Sequence, residues 1–162
     1  MKLDKILVVY TNPTTNEYRL TLGKVKKVLK KYRAKYNLAN RDKLKDIQFE
    51  NHDLVIAVGG DGTFLRAAQF VKNQLILGVN ADVKNKEGFF MQSDKKNFEA
   101  RLRKIIKNKF KIKKLHRLEA YINNKKIENP ALNEFFIGPK RAYHAAKYII
   151  QVGEKKERQK SS

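Results

Sequence analysis

Leu54-Val55-Ile56-Ala57-Val58-Gly59-Gly60-Asp61-Gly62-Thr63-Phe64-Leu65-Arg66-Ala67-Ala68 decides the fold. Its first five residues are a continuous apolar, largely β-branched run, short enough for a strand buried on both faces. From Phe64 through Gln69-Phe70-Val71 the pattern reads as a helix start. A strand that stops at glycines and opens into a helix suits an anion. Backbone N–H groups approach closely, and the helix N-terminus adds a favourable dipole. Asp61 stands out, because a carboxylate repels phosphate. Its place is explained if it holds a cation or takes a proton from an attacking hydroxyl. The plainer reading is a tight turn with Asp61 as helix N-cap.

The rest of the chain extends this unit. Ile6-Leu7-Val8-Val9-Tyr10 is a first strand, followed by turn chemistry at Thr11–Asn16. Leu22, Val25, Val28, Leu29, Tyr32 and Tyr36 recur at helical spacing, so the pattern predicts an amphipathic helix from Tyr18 to about Tyr36. Asn40 to Ile47 is expected as a second short helix. Leu75-Ile76-Leu77-Gly78-Val79 is the next strand. Ser93 or Asp94 is expected to cap a helix through about Lys107, with Phe98, Leu102, Ile105 and Ile106 inward. This alternation predicts an α/β fold, a parallel sheet flanked by helices, with ligands beyond the carboxyl ends of its strands.

After about Lys109 to Lys114 the period changes from helical to alternating. Phe110–Lys113, Leu118–Ile122, Ala131–Ile137 and Tyr148–Val152 read as strands, with Asn123-Asn124 as a hairpin turn. The expected division is an α/β nucleotide-binding domain over 1–110 and the first strands of an incomplete all-β domain over 111–162.

The chain has 162 residues, no cysteine and a formal net charge of +21. Length allows one domain with a real core, and the cysteine count excludes a disulfide framework and thiolate metal sites. No run has membrane-spanning length, and Met1-Lys2-Leu3-Asp4 leads straight into a strand, so neither signal peptide nor anchor is expected and the location reads as cytoplasmic. The charge alone points to nucleic acid or another polyanion. The lysines, however, are spread over every segment, and the aromatics sit inside apolar patterns. That favours a solvated basic surface, which also suits a phosphate-handling cleft.

The stretch Val58–Ala68 resembles the signature of the NAD kinases. A shorter form, GGDGT, is shared with diacylglycerol-type lipid kinases, and a G-G-D motif with phosphofructokinases. Gly78-Val79-Asn80-Ala81-Asp82, ending in Glu87-Gly88-Phe89-Phe90, resembles the second NAD kinase motif, in the form of the archaeal and mitochondrial-type branch. By residue type alone, Asn80 and Asp82 are also what Asx-turns use. Lys84-Asn85-Lys86 then forms a loop near the nucleotide. Ala131–Gly138 resembles the third motif, an Asn-Glu pair on a strand of the second domain, and Pro139–Tyr148 also follows that branch.

The resemblance implies phosphoryl transfer from ATP to the 2′-hydroxyl of the adenosine ribose of NAD, giving NADP. Asp61 would be the catalytic carboxylate. Gly59, Gly60, Gly62, Thr63 and Arg66 would serve the ATP phosphates, and Asn80, Asn133 and Glu134 would serve NAD. Mg2+ would come with ATP, without a protein metal cage. Gln159-Lys160-Ser161-Ser162 matches a point where relatives continue, and their later T-G-x-G-S-T motif is absent. The resemblance therefore implies an incomplete kinase, as a homo-oligomer or with a second chain completing the β domain. Two alternatives stand beside it. A lipid kinase leaves Asn133-Glu134 unexplained, and a nucleic-acid-binding protein leaves the glycine loop idle. His52, His116 and His144 belong to no recognisable constellation.

Overall fold

A computed structural model describes residues 5–141 and 143–161. The expectations for Met1–Asp4, Ala142 and Ser162 lie outside them. Five parallel strands form one sheet in the order β2-β1-β3-β4-β5. They are β1 (Ile6–Tyr10), β2 (Tyr36–Asn40), β3 (Leu54–Gly59), β4 (Leu75–Asn80) and β5 (Ser93–Asp94). The helices are α1 (Asn16–Lys31), α2 (Asp61–Ala68) and α3 (Phe98–Ile106).

Strand alternation builds the two layers of core. Ile6, Val8, Leu54, Ile56 and Val58 pack with Val25, Val28 and Leu29 of α1 and with Phe98, Leu102 and Ile105 of α3. Leu7, Val9, Val55 and Ala57 point to the other face and pack with Phe64, Ala67 and Ala68 of α2 and with Phe49. Both faces of β1 and β3 are therefore covered, which is why these strands are apolar throughout. The parallel sheet flanked by helices agrees with the expectation.

Two local expectations fail near residue 36. Helix α1 stops at Lys31, and Tyr36–Asn40 is strand β2, paired in parallel with all five residues of β1. The stop is a Schellman turn: Arg33 N–H donates to Lys30 O, Ala34 N–H donates to Leu29 O, and Arg33 sits at φ 52°. A glycine would have announced that stop, and arginine does not. The expected helix at Asn40–Ile47 is two single 3-10 turns, Arg41–Lys43 and Asp46–Gln48. Ser93 and Asp94 form β5 against Val79 and Asn80. Asp94 Oδ1 still accepts from the N–H of Lys96 and Asn97, so it caps the turn that leads into α3.

Beyond α3 the strands are short. Tyr121–Ile122 (β6) and Lys125–Lys126 (β7) pair across Asn123 and Asn124, at φ 49° and 63°, as expected for a two-residue hairpin turn. Ala146–Val152 (β8) and Lys155–Ser161 (β9) form a second hairpin. Ala131 makes only an isolated bridge to Leu118, and 132–137 is irregular where a strand was expected. Phe110–Lys113, read as alternating, is also without strand pairing among the described residues. Arg117 ties this part to the C-terminal end of α2 by donating to Ala68 O, on its last residue, at 3.0 Å and to Val71 O, just past it, at 2.7 Å.

Candidate functional site

Strand order reverses between β1 and β3, since β1 leads outward to β2 and β3 leads the other way to β4 and β5. In open α/β sheets the crevice beyond the carboxyl ends at such a switch point is where ligands bind. Gly59 ends β3 there, Gly60 is the N-cap of α2, and Asp61 is its first residue. Asp61 is thus inside the helix and does not cap it. Gly60 O accepts from Thr63 N–H at 2.8 Å and Phe64 N–H at 3.3 Å, which starts the helix. The N–H groups of Asp61 and Gly62 lie outside the bonding of α2 itself.

Close approach explains two of the glycines. A Cβ on Gly59 would stand 2.3 Å from Thr63 Oγ1, and one on Gly78 would stand 2.5 Å from Met91 Sδ and 2.8 Å from Phe90 O. Thr63 is fully buried, and its hydroxyl accepts from Arg41 Nη1 at 3.3 Å. Its side chain therefore shapes the loop from beneath.

The Glu87–Phe90 segment folds back over this loop. Asp61 Oδ2 accepts from Phe89 N–H at 2.9 Å, and Oδ1 accepts from Phe90 N–H at 2.8 Å. Phe90 stacks on Phe64 with centroids 5.3 Å apart. The first and second sequence motifs are thereby joined through the Asp61 carboxylate. Asn80 builds the intervening loop: Oδ1 accepts from Asp82 N–H at 2.9 Å, an Asx-turn, and Nδ2 donates to Lys86 O at 3.0 Å. Asp82 is buried and accepts from Asn85 Nδ2 at 2.9 Å.

Two cations that the sequence reading did not assign flank the glycines. Arg41, just after β2, would stand 3.7 Å from a Cβ on Gly62, and Lys86 would stand 3.1 Å from one on Gly60. Lys86 had signalled only a loop, and Arg41 gave no signal, since β2 itself was unseen. Arg66 is exposed on the last turn of α2, away from the glycines in sequence. Asn133 and Glu134 are both exposed in the irregular segment after Ala131, and the structure does not bring them into hydrogen-bond contact with the loop. Beyond Phe90 an open groove of ≈ 950 Å³ is lined by Ile76, Leu77, Phe89, Ile105 and Phe110 among others.

Glu17 and Lys95 form an ion pair between the first turn of α1 and the turn after β5. The hydrogen bond from Lys95 holds the Glu17 carboxyl below its ordinary value, with help from the charges of Lys95 and Lys84 against the cost of desolvation. No group of three His, Asp or Glu side chains among the described residues could hold a metal. No helix there is long and apolar enough to cross a membrane.

Comparison of the sequence with known proteins points to one family. The family model described as the ATP-NAD kinase N-terminal domain matches residues 3–110. An NAD kinase of Picrophilus torridus is 40% identical over 73 residues, covering 45% of this chain and 26% of the relative. An NAD kinase of Thermoplasma volcanium is 32% identical over 108 residues, covering 67% and 38%, and one of Acetivibrio thermocellus is 33% identical over 118 residues, covering 68% and 38%. The matches thus span 26% to 38% of the length of these relatives. With its glycine loop at the switch point and most of its length matched by the family model, the chain belongs to the NAD kinase family.

Proposed function

We propose that the chain takes part in phosphorylating the 2′-hydroxyl of the adenosine ribose of NAD with ATP, giving NADP. The observation that carries this reading is Asp61. It stands at the start of α2 on a glycine loop at the switch point, with each oxygen already accepting one backbone N–H. A carboxylate has about four lone-pair sites, so room remains to accept a hydroxyl proton. Asp61 then orients the acceptor hydroxyl and takes its proton as the hydroxyl oxygen bonds to phosphorus and the bond to ADP breaks.

Gly59, Gly60 and Gly62 let phosphate oxygens reach the backbone, and Thr63 keeps the loop in shape. Arg66 adds positive charge at the far end of α2. Asn80 would serve NAD and holds the 82–86 loop within the second motif, and Asn133 with Glu134 would reach the acceptor through a base edge and ribose hydroxyls. The carboxylates of this chain do not gather into a metal cage among the described residues. Mg2+ would enter with ATP, as part of the substrate, and would supply charge neutralisation at the phosphates.

Residues 121–152 leave Tyr121, Ile122, Phe136, Ile137, Ile149 and Val152 exposed. Short two-stranded hairpins are marginal by themselves, so we infer that a second copy of the chain, or a separate chain completing the β part, covers this surface. A cytoplasmic location fits this reading, since both substrates are intracellular metabolites. The test measures NADP formation and direct binding of NAD, ATP, a diacylglycerol and an oligonucleotide at physiological salt. Binding of NAD and ATP supports the reading. Failure to bind either, or salt-sensitive oligonucleotide binding alone, overturns it.

A further inference from the structure

Lys86 is held as few surface lysines are. Its N–H donates to Asp82 O at 3.0 Å, and its carbonyl accepts from Asn80 Nδ2 at 3.0 Å, so its backbone is fastened on both sides. Its side chain lies against Gly60, where a Cβ would be 3.1 Å from Cδ and 3.7 Å from Nζ. The ammonium donates to Tyr18 Oη at 2.9 Å and stands 5.5 Å from the centre of that ring. Tyr18 belongs to α1 and is only 7% exposed, so this hydroxyl is a fixed point. None of the ion pairs among the described residues involves Lys86. A neutral hydroxyl tethers the ammonium beside the glycine loop, with no carboxylate at ion-pair distance among the described residues. An ammonium carries three donors, and Tyr18 uses one.

Resting on the reading of the site given above, we propose that Lys86 binds a phosphate oxygen of the nucleotide seated on Gly59–Gly62, and that Tyr18 is the positioning residue that holds it there. The loop from β4 thereby supplies the point charge that the glycine loop lacks. A glycine at position 60 serves this arrangement, because any side chain there would push against the Lys86 stem.

The test is nucleotide binding to the full chain by calorimetry, with ATP and NAD measured separately. Lys86→Gln is compared with Lys27→Gln, which makes the same charge change on an exposed turn of α1. Lys86→Gln should weaken at least one nucleotide roughly tenfold or more, and Lys27→Gln should change little. Loss on ATP alone assigns the contact to the donor phosphates, loss on NAD alone to its pyrophosphate, and either supports the proposal. Tyr18→Phe keeps the buried ring and should weaken the same nucleotide roughly threefold. In the Lys86→Gln background it should add nothing further, which a purely structural role for Tyr18 would not produce. If the unaltered chain binds nucleotide and Lys86→Gln loses no more than Lys27→Gln, the Lys86 assignment is overturned while the reading of the site stands. If the unaltered chain binds neither nucleotide, both fall.

Discussion

The backbone N–H of Phe90 donates to Asp61 Oδ1 at 2.8 Å, across 29 residues of sequence. This bond, with its twin from Phe89, makes Asp61, the base proposed above, a fastening between two motifs. A loop that moves would move the carboxylate's partners with it.

Asp61→Asn should therefore do two things. Turnover in an NADP-forming assembly should fall by about 10²–10⁴-fold, because an amide takes no proton from the acceptor hydroxyl. The amide NH2 would also face a backbone N–H, donor against donor, so residues 87–90 should exchange amide hydrogens faster while α2 and the sheet do not. Near-normal turnover would leave Asp61 a fastening only.

Gly78→Ala reaches the same carboxylate from behind. A Cβ at this position meets Met91 Sδ at 2.5 Å and Phe90 O at 2.8 Å, and Phe90 O is backbone that cannot swing aside. Overpacking of this kind costs about 1–3 kcal/mol. Thermal melting should show that loss, and NAD or ATP binding should weaken with it. A variant as stable as the parent would show that the 88–91 segment sits more loosely on β4 than the structure has it.

Glu134→Ala should weaken NAD by roughly tenfold and leave ATP nearly unchanged, if the exposed Asn133-Glu134 segment closes on the acceptor ribose. Equal losses for both nucleotides, or none, would remove the pair from the acceptor site. Titration calorimetry on the single variant decides it.

Glu99 gives a pH signature independent of function. Lys31 Nζ donates to its Oε1 at 2.6 Å, joining α1 to α3. That hydrogen bond holds the Glu99 carboxyl below its ordinary 4.5, with further lowering from the charges of Lys31 and Lys24 and from Tyr32. The same bond raises Lys31 above its ordinary 10.5. A lowered carboxyl stabilises the fold fully above 4.5 and loses its effect as pH falls through the lower folded value. The raised lysine stabilises fully below 10.5 and loses its effect as pH rises through its folded value. Glu99→Gln should thus lower the melting temperature modestly between those limits and match the parent in strong acid. Both groups are solvent-accessible, so added salt should shrink the difference.

Size-exclusion chromatography with light scattering tests the exposed β surface. The chain should associate, and Ile149→Ser with Val152→Ser should weaken that association without altering the melting of the sheet. A monodisperse monomer that makes NADP unaided would overturn the inferred partner.

By itself the sequence determined the parallel α/β sheet and the position of its glycine loop. Strands β1 and β3 are apolar on both faces, and Gly59–Thr63 falls where a buried strand must turn into a helix, so local pattern and tertiary role coincide there. Asn123-Asn124 announced its hairpin for the same reason, since both residues tolerate left-handed backbone. Strand β2 was decided only by tertiary structure. Tyr36-Asn37-Leu38-Ala39-Asn40 has no β-branched residue and buries only Ala39, and it becomes a strand because the edge of β1 offers unpaired backbone groups. The surroundings of the site were decided the same way. Arg41 reaches Thr63 across 22 residues, Lys86 reaches Tyr18 across 68, and Asp61 finds Phe90 across 29. No periodicity within a segment encodes such meetings, because they depend on which strand ends the folded sheet brings side by side.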